Sequence, residues 1–83
     1  MAQFERVVSV DLKPALLDPE GGAISGVLQE LGFPVEAVRV GRRIHLTVSA
    51  PDGDAATRLC AEMAERVLAN PVLETWRVEA PES

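Results

Sequence analysis

Between Asp18 and Pro34 the chain carries both the start and the stop of a helix, and this bracket limits the fold more than any other feature. Asp18 precedes Pro19, so a carboxylate stands where a free first-turn N–H needs an acceptor. The proline occupies the first helical position, where its missing N–H is no loss. Ile24, Val27, Leu28 and Leu31 then recur at the spacing of one helical face. Gly32 supplies a left-handed cap, and Pro34 blocks continuation. Leu28 is expected between this helix and a sheet.

The segments on either side alternate. Phe4, Arg6, Val8, Val10 and Leu12 share one face of a strand running from Phe4 to Lys13, and Pro14 ends it. After Pro34 the even positions Val38, Val40, Ile44, Leu46 and Val48 are apolar, while Arg39, Arg43, His45, Thr47 and Ser49 fall on the odd ones. The phase survives Gly41, so a two-residue hairpin loop there would put Ile44 on the wrong face. A three-residue loop, Gly41-Arg42-Arg43, pairs Val40 with Ile44 and keeps the apolar set together. The same phase also permits one long strand pairing with another subunit; the hairpin is the expectation taken forward. Pro51-Asp52-Gly53-Asp54 is a turn with two candidate caps. A second helix follows, with Ala56, Leu59, Cys60, Met63 and Val67 inward, and Asn70-Pro71 closes it. The last strand, Val72 to Glu79, is expected to bury Val72, Trp76 and Val78, with residues 80–83 frayed. The order β-α-β-β-α-β gives one α+β, ferredoxin-like domain over residues 1–83, an antiparallel sheet with two helices on one face.

Eighty-three residues bury only about 60–65% of the surface their unfolded chain exposes, less than a larger domain, so self-association, as a homodimer or higher oligomer, is expected. The net charge of −5 argues against a nucleic-acid partner. No apolar run approaches the roughly 18–20 residues that span a bilayer, and MAQFERVV lacks a signal peptide's apolar centre. A single cysteine, Cys60, fits a reducing compartment, and a cytoplasmic protein is expected.

Sites of chemistry are scarce. Cys60 lies on an apolar helical face with no histidine beside it, and His45 is the only histidine, which excludes a multi-His metal site. Gly21 and Gly22 could cradle a phosphate, but Asp18 and Glu20 already place negative charge there, and close backbone packing is the better account. Three aromatic residues, two on apolar strand faces, are too few for an RNA-stacking sheet. An acylphosphatase-like site would need an asparagine that Asn70, in a helix-ending turn, does not supply. No catalytic, cofactor-binding or metal-binding residues are therefore expected. Arg39, Arg42, Arg43 and His45 form the one basic cluster, either a solvated hairpin tip or a contact for an acidic partner.

LKPALLDPEGGAI, LGFPVEAVRVGRR and VLANPVLE, in that order and spacing, resemble the PurS family, the small subunit of phosphoribosylformylglycinamidine (FGAM) synthase. The resemblance covers about Val7 to Glu79. It implies a non-catalytic subunit that joins a glutaminase (PurQ) to an ATP- and Mg-using synthetase (PurL) in purine biosynthesis. Together these would amidate formylglycinamide ribonucleotide with nitrogen from glutamine. VRVGRR matches a stretch the family usually keeps as V-R-x-G-K, with Arg42 in the lysine's place, so a cationic role survives and a lysine-specific one does not. The alternative is a stand-alone regulatory module of the same fold that binds a small metabolite.

Overall fold

The structure, a computed structural model, describes residues 1–81. Its elements are β1 (Ala2–Leu12), α1 (Pro19–Glu30), β2 (Gly41–Ala50), α2 (Gly53–Met63), a π-helical turn (Ala64–Leu68) and β3 (Glu74–Glu79). The three strands form one antiparallel sheet in the order β2-β1-β3. β1 is central, with Val8 opposite Ile44 on one side and Val78 on the other.

The α+β class holds, but the sequence between the helices does not reverse. Gly41 through Ala50 is one strand, and Asp11 is opposite Gly41. Residues 35–40 lead into it without joining the sheet. The expected hairpin at Gly41-Arg42-Arg43 is therefore corrected to a continuous extended run. A three-residue loop needs a residue in the left-handed region. Gly32, at φ 90°, is the only described residue of positive φ. Gly41 is needed for another reason: an added Cβ would meet the Asp11 carboxylate and stand 2.9 Å from the Val10 carbonyl oxygen.

α1 begins and ends as its residues require. Asp18 accepts from the Gly21 N–H at 2.8 Å. At the other end the Gly32 N–H donates to Gln29 and the Phe33 N–H to Leu28, the double bond that closes a helix onto a left-handed glycine. Its packing differs from expectation. α2 alone covers the sheet, and α1 stands off it as an arm with the returning segment 33–40. Leu28 is only half-buried, and Ile24, Val27 and Leu31 are exposed. A compact chain of this length has a radius of gyration near 12 Å. The observed 16.2 Å records how far the arm extends.

The core is thin and lies between α2 and β1. Ala56, Cys60 and Ala64 have no exposed surface and lie on the helix face turned to the sheet; Cys60 and Ala64 cluster with Val8, Val10 and Ala69. Small helix residues let the backbone approach a sheet of β-branched side chains closely. Asp52, rather than Asp54, caps α2 by accepting from the Ala55 N–H at 2.8 Å. Past Met63 the helix widens, and the Ala69 N–H bonds five residues back to Ala64. That widening advances the phase, so Leu68 packs on the core while Val67 points out. Val67, expected inside, is therefore exposed. Leu59, also expected inside but before the widening, is exposed beside the small residues Ala56 and Cys60 that face the sheet. Val72 is exposed as well, because the Val72 N–H donates to the Asn70 side chain in a turn and β3 starts only at Glu74. Trp76 and Val78 do pack on the core. Of the expected frayed end, Glu82 and Ser83 lie outside the described residues.

Val8 has no exposed surface, so Val8→Ala should lower unfolding free energy by about 2–3 kcal/mol, with an unchanged denaturant slope in urea melts. An unchanged midpoint would mean that the core lies elsewhere.

Candidate partner-contact surface

The register of β2 divides the four residues of the basic cluster. Even positions face α2 and odd positions face the open side of the sheet. Arg42 reaches over the helix side, where one guanidinium nitrogen donates to the Leu68 carbonyl at 2.9 Å and to the Glu74 carboxylate at 3.1 Å. Glu74 also accepts from the Asn70 N–H, so Arg42 helps tie the end of the π turn to the start of β3. Arg39 precedes the strand and donates to the carbonyls of Leu16 at 2.7 Å and Lys13 at 3.1 Å. Its guanidinium is bound to backbone rather than held out for a partner.

Arg43 and His45 remain. Both lie on the open face, Arg43 opposite Ser9 and His45 opposite Val7. Across β1 from them stand Arg77 and Glu79, themselves joined at 2.7 Å. Among the described residues neither Arg43 nor the His45 side chain takes a hydrogen bond, and both are exposed. The structure thus brings together Arg43, His45 and Arg77, and separates them from Arg39 and Arg42. Arg77 could have been found from alternation in the last strand; Glu74 could not, since its partners lie in distant segments.

Arg6 faces α2 as its strand parity predicts. It donates to the Thr57 hydroxyl at 3.0 Å and the Gly53 carbonyl at 3.2 Å, 5.6 Å from the centre of the Phe4 ring. A cavity of about 420 Å³ opens beside the start of α1, lined by Asp18, Glu20, Arg42 and Glu74 among others. Three carboxylates there leave no attraction for a phosphate. Gly21 answers to packing instead, because a Cβ on it would collide with the Val38 carbonyl. Cys60 is wholly buried, and burial pushes its thiol up despite the pull of Arg6, which makes it a poor nucleophile. Among the described residues no group of three or more His, Cys, Asp or Glu is placed to hold a metal ion. No helix among them is long and apolar enough to cross a membrane.

A small antiparallel sheet with one covering helix and a projecting apolar arm defines a small α+β domain that leaves apolar surface outside its own core. Comparison with known proteins gives the family. Residues 5–82 match the family model for PurS, phosphoribosylformylglycinamidine (FGAM) synthase. The PurS subunit from Synechocystis is 41% identical over 73 residues, covering 87% of this chain and 73% of that one. The Bacillus subtilis subunit is 40% identical and covers 90% and 89%. A chain in the structure of PurLQS from Thermotoga maritima superposes with a TM-score of 0.91 at 34% identity, covering 98% of this chain and 100% of that one. The chain belongs to the PurS family.

Asp18 has its acidity changed by the connection between the sheet and α1. Bonds from the Gly21 and Val40 N–H groups hold its carboxyl below the usual range, burial opposes them, and Arg39 adds to the lowering. A carboxyl lowered on folding stabilises the fold above its unfolded pKa of about 3.9 and loses that contribution as pH falls through the folded value. The stability gap between wild type and Asp18→Asn should therefore be present near neutral pH and shrink as pH falls below the ordinary carboxylate range toward the lowered folded value. Urea melts across that range measure it, and a gap independent of pH would contradict the assignment.

Proposed function

We propose that this chain is the non-catalytic assembly subunit of FGAM synthase in the cytoplasm. As one domain and as a homodimer or higher oligomer, it would join a glutaminase (PurQ) to a synthetase (PurL). The synthetase partner would hold ATP and Mg and amidate formylglycinamide ribonucleotide with nitrogen from glutamine. The likeness to a chain of PurLQS over nearly its whole length carries this reading.

The elongated shape supports the self-association. Ile24, Val27, Leu31 and Phe33 on the arm are between 40% and 69% exposed, an apolar stripe that a chain of this size gains most by burying against another copy. Residues 35–40 bring an extended segment with them, and the outer edge of β2 pairs with no strand among the described residues. All four basic candidates Arg39, Arg42, Arg43 and His45 are exposed, but Arg39 and Arg42 are bound to backbone carbonyls, so Arg43 and His45 would be the pair to meet an acidic surface of a partner subunit.

Two nitrogen sources test the proposal. Synthetase and glutaminase without this chain should still form the amidine from concentrated ammonia but not from glutamine, and added chain should restore the glutamine reaction. Arg43→Glu with His45→Glu should restore it several-fold less well, a deficit that salt reduces. Full glutamine-dependent activity without the chain would refute the assembly role. Full rescue by the charge-reversed chain would refute only the contact assigned to Arg43 and His45.

A further inference from the structure

We infer that Asp18 and Arg39 form a latch that fixes the angle at which the α1 arm leaves the sheet, presenting the arm for self-association. The inference rests on the oligomer proposed above. The arm joins the sheet at two crossings, residues 13–18 outward and residues 38–40 on return. One side chain from each closes onto the other. Arg39 spans from the return crossing to the Leu16 and Lys13 carbonyls at 2.7 and 3.1 Å. Asp18 answers from the outward crossing, with one carboxylate oxygen accepting the Val40 N–H at 2.7 Å. Its other oxygen accepts the Gly21 N–H at 2.8 Å, so one group both starts the helix and pins the returning strand.

The frame beneath is braced. The Lys13 N–H donates to the Leu73 carbonyl at 2.9 Å, which couples the crossing to the turn before β3, and the Leu16 N–H closes back onto Lys13 at 2.9 Å. Gly21 is buried with no room for a Cβ against Val38, so helix and return strand touch backbone to backbone. Beyond this point the arm holds itself together, as Gln29 Nε2 donates to the Val35 carbonyl at 3.0 Å, and it has little contact with the sheet. The arm's direction is thus set at one place. Arg39, a candidate for partner contact by sequence, acts here as a positioning residue.

Asp18→Ser separates capping from latching, since a serine hydroxyl still caps a helix but is too short to reach Val40 as well. Arg39→Lys keeps the charge and loses the two-pronged bond. Both variants should keep the wild type's helical circular dichroism. Spin labels at Ser25 and Thr47, in labelled chain diluted into excess unlabelled chain, should show one narrow distance in wild type that at least doubles in width in each variant. The oligomer's dissociation constant from sedimentation should rise at least tenfold. Unchanged distance distributions in both variants would overturn the latch. A wild-type chain that is monomeric at micromolar concentration, with widths that still respond, would overturn the oligomer and leave the latch standing.

Discussion

The length of β1 governs the rest of the structure. Among the described residues it is the only strand with neighbours on both sides, and it stops at Leu12 because Pro14 has no N–H to continue a ladder. Asp11 is the last residue that β2 pairs with, so pairing begins at Gly41, and among the described residues the six before it join no strand and bond only to the two crossings and the arm itself. The helix that precedes them is carried outward with them. An extended segment and an apolar helix outside the chain's own core follow from one proline in the first connection.

The core that remains is narrow. Ala56, Cys60 and Ala64 bring α2 close to the sheet but contribute little apolar area, and the exposed face of α1 is comparable apolar surface left unused. Burial drives folding roughly in proportion to area. A chain that leaves this stripe in water has an unsatisfied driving force, which association with another copy would satisfy without a single new chemical group.

Charge is arranged on the same principle. Strand parity sends Arg42 to the helix side and Arg43 to the open face, although they are adjacent in sequence. Arg42 and Arg39 bind backbone carbonyls and so serve the chain's own shape. Arg43 and His45 stay in solvent, where exposed charge contributes little to stability and is free to select a partner.

Much was legible from local rules. Asp18, Pro19 and Gly32 bound α1 almost to the residue, because caps and breakers act within a few positions of themselves. The alternation of β1 and the even positions of β2 gave the face turned to α2, since side-chain direction follows from the backbone alone, though Val7 on the other face is buried as well. Periodicity could not say that α1 stands off the sheet, because an apolar stripe looks the same whether its partner is in the same chain or in another. It misplaced Leu59 and Val67 because the α2 stripe was drawn too wide for a helix that faces the sheet with small residues and then widens by one residue at Ala64. The basic cluster was real in sequence and dispersed in space, as strand parity and long-range carbonyls decided where each guanidinium went. What the sequence determined alone were the helix bounds and the strand parity, which depend on near neighbours. Which surfaces meet, and the absence of a hairpin at Gly41, were decided by the tertiary structure, because they depend on where β1 ends.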